Sequence, residues 1–155
     1  MAIAIRDARP DDLAAIVDFN ARLALETEQK TLNPDILTRG VARALGDPDR
    51  LRYWVAVDSE TGRVVGQLAT SREWSDWRDG WIWWYQSVYV AVDARGLGVF
   101  RALHAHVRDL ARSTPDVIGL RLYVESANHP AKATYTALGF TPGGYDVYED
   151  HWIAP

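Results

Sequence analysis

Residues 81–125 run strand, glycine turn, helix, strand, and this order limits the possible folds more than any other feature of the chain. Trp81–Val92 is a long β-like run, interrupted by the turn at Arg95-Gly96-Leu97-Gly98. The segment from about Gly98 to Arg112 then carries Phe100, Leu103, Val107 and Leu110 as a helical apolar stripe. Val117–Glu125 follows as a strand with Leu120, Leu122 and Val124 on one face. Strands joined through a helix lie parallel, because the crossover returns the chain to the end where it began. The fold must therefore contain a parallel pair and a helix packed on the sheet.

The remaining elements are simpler to place. Ala2–Arg6 reads as an opening strand, and Pro10-Asp11-Asp12 starts a helix with Leu13, Ile16, Val17 and Leu23 at helical spacing. A second helix opens at Asn33-Pro34-Asp35, a capping Asn with Pro in the first turn, and closes at Gly46. Leu51–Asp58 alternates as a strand, and Ser59-Glu60-Thr61-Gly62 turns it into a hairpin with Val64–Ser71. Asp76–Gly80 is a further turn. Pro130 opens a last helix capped by Gly139, and Tyr145–Trp152 has the pattern of a final strand. No repeat, linker or low-complexity tract interrupts the chain, so one domain over residues 1–155 is expected.

Composition excludes several functions. A net charge of −4 argues against general nucleic-acid binding, which needs a basic surface. No apolar run approaches the ~18–20 residues that span a membrane, and the acidic opening MAIAIRDARPDD does not resemble a signal peptide. The expected compartment is the cytoplasm. With no cysteine, the chain has no disulfide, thiolate metal site or cysteine nucleophile. The four histidines lack metal-ligand spacing, so no metal is expected.

The glycine turn carries the first chemical signal. The first N–H groups of a helix lack partners within it, and the helix dipole adds positive character there. Glycines let the backbone approach a phosphate closely, and Arg95 and Arg101 can add charge-assisted bonds. Alone, Gly96 and Gly98 serve equally well as a plain strand-to-helix turn. The spacing does not suit a dinucleotide fingerprint, whose third glycine would fall at Arg101, and no Gly-Lys-Ser/Thr follows to make a P-loop.

A second motif lies downstream. Asn128 is followed at helical spacing by Ala131 and Tyr135, and Leu138-Gly139-Phe140 ends the helix. An isolated tyrosine here would read as a packing residue. Together the two segments resemble the GNAT superfamily of N-acetyltransferases. Its coenzyme A motif, Arg/Gln-x-x-Gly-x-Gly/Ala, maps to Arg95–Phe100, and its Asn-x-x-Ala-x-x-x-Tyr-x-x-x-Gly-Phe pattern is met at Asn128, Ala131, Tyr135, Gly139 and Phe140. Phe100 departs from the pattern, standing where the family usually has Gly or Ala. The resemblance implies an α/β (α+β) fold: a mixed, mostly antiparallel central sheet of six to seven strands flanked by four helices. It further implies that acetyl-CoA is the co-substrate. The backbone N–H groups of Arg95, Gly96, Leu97, Gly98, Val99 and Phe100 would hold its pyrophosphate, with Arg101 nearby. Val88, Tyr89 and Val90 would offer main-chain bonds to the pantetheine arm, Asn128 would orient that arm, and Tyr135 would face the thioester sulfur.

Acetyl transfer to an amine sets requirements of its own. An amine of pKa near 10.4 is neutral about 1 time in 2,500 at pH 7, a penalty of ~4.6 kcal/mol, so a base must take its proton. Proton transfer from a tyrosine to a thiolate is uphill by ~2 kcal/mol, so Tyr135 would act mainly by hydrogen bonding. Many family members place a Glu on the long strand, where this chain has Trp83, Trp84, Tyr85 and Gln86. Glu73 is the first-ranked base, Asp76 and Asp79 read as turn residues, and Glu125 faces either solvent or the acceptor. Without cysteine, direct attack within a ternary complex is expected. Five of the seven tryptophans fall within residues 74–84. They either fill core or, as Trp74, Trp77 and Trp83 or Trp84, line the acceptor cleft beside Gln86 and Glu125 or cover a homodimer interface. The acceptor is expected to be a small-molecule or protein amine. A non-catalytic acyl-CoA-binding or sensing domain is the alternative.

Overall fold

The structure is a computed structural model and describes residues 1–153. The chain forms two compact units, Met1–Tyr123 and a smaller one beginning at Val124. The first contains β1 (Ile3–Asp7), α1 (Leu13–Glu28), α2 (Pro34–Gly46), β2 (Arg52–Asp58), β3 (Val64–Ser75), β4 (Gly80–Val90), α3 (Val99–Ser113) and β5 (Val117–Arg121). The second contains α4 (His129–Ala137).

The strands form one sheet in the order β1-β2-β3-β4-β5. Neighbours pair antiparallel except β4 and β5, which pair parallel as the crossover requires. The mixed, mostly antiparallel architecture and the four helices agree with the expectation, but the strand number does not. The sheet has five strands among the described residues, not six to seven. Residues 141–153 contain no strand, and Tyr145, Val147, Tyr148 and Trp152 are exposed. Alternation supplies a strand's face pattern, whereas a strand also needs a partner ladder, and Pro142-Gly143-Gly144 opens this segment as a turn, with Gly144 at φ +78°. β5 likewise stops at Arg121, short of Glu125.

The two sheet faces are covered differently. Ile16 of α1 and Val41 and Ala44 of α2 pack against Tyr53, Val55 and Ala69. On the other face α3 runs across β1 to β5, burying Val99, Leu103 and Val107. Gly66 of β3 faces α3 so closely that a Cβ there would lie 2.8 Å from Val99 Cγ1. By strand alternation its neighbour Gln67 faces α1, where it bonds Asn20.

Candidate functional site

The start of α3 is built to expose backbone donors. Gly96 (φ +78°) and Gly98 (φ +80°) are left-handed, a conformation that disfavours residues with a Cβ. Gly98 takes the N-cap position without a capping side chain, and the first turn of α3 holds no acidic residue. By contrast, Asn33 Oδ1 caps α2 by accepting from the Asp35 and Ile36 N–H groups. Among the described residues, a Cβ on Gly96 or Gly98 would meet nothing within 4 Å. The Phe100 ring stacks along the helix on His104, with centroids 6.1 Å apart. These features fit a pyrophosphate.

Arg95 is drawn back from the turn. Its Nε donates to the Val90 carbonyl at 3.0 Å, and its Nη2 reaches Glu26 Oε2 at 2.7 Å. The Tyr89 hydroxyl donates to Glu26 Oε1 at 2.9 Å, and the guanidinium lies over the Tyr89 ring. Burial alone would raise the Glu26 carboxyl, but the bonds from Arg95 and Tyr89 outweigh it and hold it below its ordinary value. Burial first, and Glu26 second, raise Tyr89. Glu26 thus ties the end of α1 to the end of β4.

β4 carries two irregularities. Among the described residues β5 pairs with it from Trp81 to Trp84, and that ladder does not extend to Val88, Tyr89 and Val90. Toward β3 the register slips by one residue, since Gln67 opposes Tyr89 while Ala69 opposes Gln86. Ser87 and Val88 form the resulting bulge, with Ser87 at φ +52°. The Ser87 carbonyl accepts from Gln67 Nε2 at 3.0 Å. No peptide in the described chain is cis, so the N–H of Val88, in the same peptide plane, points away from Gln67. Among the described residues, Val88, Tyr89 and Val90 therefore lie on a strand edge beyond the β5 ladder, just before the glycine turn.

A polar shelf extends along the α1–α2 face of the sheet. Glu73 Oε1 accepts from Trp84 Nε1 at 3.0 Å and from Arg121 Nη1 at 3.0 Å. Gln86 Nε2 donates to Ser71 Oγ at 2.6 Å. Glu73, Trp84 and Gln86 are thus brought together. The other tryptophans lie elsewhere. Trp83 is buried on the α3 face, stacked on Trp54 at 6.1 Å. Trp74 meets Trp81 edge-on at 5.1 Å, and Trp77 is 85% exposed in the turn between β3 and β4.

The smaller unit holds the second motif. Asn128 Oδ1 caps α4 by accepting from the Ala131 N–H at 3.2 Å. Tyr135 is half-buried with its ring edge-on to Phe140, 5.8 Å between centroids. Burial raises its hydroxyl above the ordinary tyrosine value, which is itself well above neutral pH, so the group is a proton donor there. Glu125 Oε2 accepts from the Ala127 N–H at 2.8 Å, closing the turn before the helix.

Several polar residues of the first unit escape sequence reading. Glu26 and Asn20 look like ordinary positions of an amphipathic helix, with no local signal. Gln67 is legible in principle as one long polar side chain inside the apolar run Val64-Val65-Gly66-Gln67-Leu68-Ala69. Tyr85 and His104, bonded at 2.8 Å from hydroxyl to Nδ1, form a buried pair between β4 and α3.

The described residues thus form a mixed α/β sheet whose fourth strand runs into an uncapped, glycine-opened helix with exposed backbone donors. The chain belongs to the acetyltransferase (GNAT) family, whose model matches residues 14–140. It is 42% identical to a possible acetyltransferase from Clostridium difficile 630, with a TM-score of 0.89 over 99% of this chain and 100% of the other. It is 29% identical over 102 residues to streptothricin acetyltransferase of Escherichia coli. That match covers 66% of this chain and 53% of the relative, so the chain spans about half of that protein's length. The fold is shared with a predicted acetyltransferase of Clostridium acetobutylicum solved with acetyl-CoA, at 17% identity and a TM-score of 0.75 over 96% of each chain.

Proposed function

We propose that the protein is an acetyl-CoA-dependent N-acetyltransferase acting on a primary amine by direct attack in a ternary complex. The observation that carries this is the uncapped start of α3 at Gly96–Val99 next to the Val88–Val90 end of β4, which lies beyond the β5 ladder among the described residues. Acetyl-CoA, when bound, supplies an acetyl group activated as a thioester. In this proposal the N–H groups from Arg95 to Phe100 hold the pyrophosphate, with Arg101 adding charge from the same turn. Val88–Val90 offer main-chain bonds to the pantetheine arm, which Asn128 orients, and the Val88 N–H takes the carbonyl oxygen, where negative charge develops. Transfer forms a bond from the amine nitrogen to the carbonyl carbon and breaks the carbon–sulfur bond. One proton leaves the amine and one reaches the sulfur.

Glu73 is the proposed proton acceptor. Both of its hydrogen bonds among the described residues fall on Oε1, which orients Oε2 for an incoming amine. Trp84 and Gln86 would line the acceptor, and a cationic acceptor suits an indole face. Trp83, stacked in the core, would act by supporting β4. Tyr135 is proposed as the hydrogen-bond donor to the leaving sulfur, since a tyrosine hydroxyl is protonated at neutral pH and burial shifts this one further in that direction.

One observation favours a second reading, a domain that binds acyl-CoA without turnover. On β4, Gln86 bonds the Ser71 hydroxyl and cannot accept a proton usefully. Thiol release from acetyl-CoA across a panel of amines decides between them. The panel includes streptothricin, because one relative carries that name. Release with at least one amine supports the enzyme, whereas binding without release to any amine supports the sensor.

A further inference from the structure

We propose that Gln67 and Asn20 are positioning residues that fix the bulged Ser87–Val88 peptide, and so aim the Val88 N–H at the acyl carbonyl of the donor. The proposal rests on the acetyltransferase function given above and adds residues outside its binding and catalytic machinery.

Gln67 is fully buried, at 0% exposure. Its Nε2 donates to the Ser87 carbonyl at 3.0 Å and to Asn20 Oδ1 at 3.0 Å. Asn20 Nδ2 in turn donates to the Tyr53 hydroxyl at 3.2 Å. The Ser87 carbonyl can only accept, so it fixes which end of the Gln67 amide is the nitrogen, and that nitrogen in turn fixes the facing atom of Asn20 as its oxygen. Side chains from α1, β2 and β3 thus converge on one backbone carbonyl of β4.

Stability alone does not explain this arrangement. Gln67 Oε1 is buried with no hydrogen-bond partner among the described residues, which disfavours the folded state. Ser87 holds a left-handed φ of +52°, strained for a residue with a Cβ. An aliphatic side chain at position 67 in a regular strand would avoid both penalties. What the network provides is a fixed peptide plane. Because the peptide is trans, holding the Ser87 carbonyl toward Gln67 holds the Val88 N–H in the opposite direction. A donor aimed in advance stabilises charge developing on the acyl oxygen better than one that must turn during reaction.

The test uses the full chain, labelled with nitrogen-15, and the variant Gln67→Met, which keeps length and volume but removes the donor. The Val88 amide is followed by NMR in the free protein and after addition of acetyl-CoA. Turnover is measured with an amine that the wild type accepts. The Gly98 and Val99 amides of the variant should still respond to acetyl-CoA. Its Val88 amide should be shifted in the free protein and unresponsive to the ligand. kcat should fall by about 10- to 100-fold with KM for acetyl-CoA nearly unchanged, a split that general loss of fold does not produce. Asn20→Ala should move the same readouts in the same direction by less, and it decides the matter if Gln67→Met does not fold. A Val88 amide that behaves as in the wild type in a folded variant, or an unchanged kcat, overturns the proposal. Absence of any acetyl-CoA response at Gly98 in the wild type overturns the acetyltransferase reading instead. The Val88 signal of the free variants still decides the positioning role in that case.

Discussion

Replacing Gly66 with alanine probes the seat of the glycine turn without touching the turn itself. A Cβ on Gly66 would lie 2.8 Å from Val99 Cγ1, 3.3 Å from the Tyr89 carbonyl oxygen and 3.4 Å from Leu103 Cδ1. Ordinary contact begins at 3.4 Å, so the overlap with Val99 is 0.6 Å. Val99 is β-branched, buried and the first residue of α3, so it has little rotamer freedom with which to escape. The first turn of α3 must then move off β3, at an overpacking cost of ~1–3 kcal/mol. For a chain of this size that lowers Tm by roughly 2–12 °C. Acetyl-CoA affinity should weaken as well, because the displaced turn carries the exposed N–H groups. Thermal melts and calorimetry read the two effects. The decisive arm is the double variant with Val99→Ala, which removes the clashing methyl. Its destabilisation should be smaller than the sum of the single changes by ~1 kcal/mol or more. Strict additivity, or an unchanged Tm for Gly66→Ala, would refute the claim that β3 sets the position of the turn.

Three other outcomes are expected. Tyr135→Phe should lower kcat by roughly 10²-fold while leaving the acetyl-CoA Kd nearly unchanged, and equal loss in both, measured by kinetics and calorimetry, would contradict its role at the sulfur. Glu26→Gln should alter stability by under ~1 kcal/mol, because the Glu26–Arg95 pair is well exposed to solvent; a larger shift of the urea midpoint would show that this tie between α1 and β4 is a main support of the fold. For His104, burial holds the folded-state pKa below the ordinary 6.5, so the unfolded chain binds the proton more readily. Stability contributed by neutral His104 is therefore present above 6.5 and declines as pH falls from 6.5 toward the depressed value. His104→Gln should flatten that part of the Tm-against-pH curve, and an unaltered curve would argue against a neutral buried imidazole.

Much of the fold is legible in local pattern because its causes are local. The crossover from Trp81 to Arg121 follows from one glycine turn between two strands, and the cap at Asn33 follows from Asn-Pro-Asp. The segment Tyr145–Trp152 misleads because alternation says nothing about whether a partner strand is present. The start of α3 is equally readable, since left-handed glycines and an uncapped helix leave their mark in sequence. The bulge at Ser87 is not. It arises from a register slip between β3 and β4 and from a glutamine reaching the next strand; Gln67 stands out as a polar residue in an apolar run, but nothing around Ser87 shows that the two meet. The tryptophan cluster is ambiguous for a similar reason. One residue of strand parity separates Trp83, stacked on Trp54 in the core, from Trp84, bonded to Glu73 on the opposite face. The engagement of Arg95 by Glu26 joins residues 69 positions apart, beyond the reach of any local motif.

The central claim is that the Gly96–Val99 turn at the start of α3 binds the pyrophosphate of acetyl-CoA. Calorimetric titration with acetyl-CoA of the wild type, Gly98→Ala and Gly98→Glu tests it most directly. A Cβ at Gly98 meets no neighbour, so alanine bears only the left-handed strain of ~1–2 kcal/mol. Glutamate adds a negative charge where the pyrophosphate would sit. The expected order is one-to-one binding by the wild type, weakened binding by Gly98→Ala and none by Gly98→Glu. Equal affinity of the wild type and Gly98→Glu for acetyl-CoA would contradict the claim.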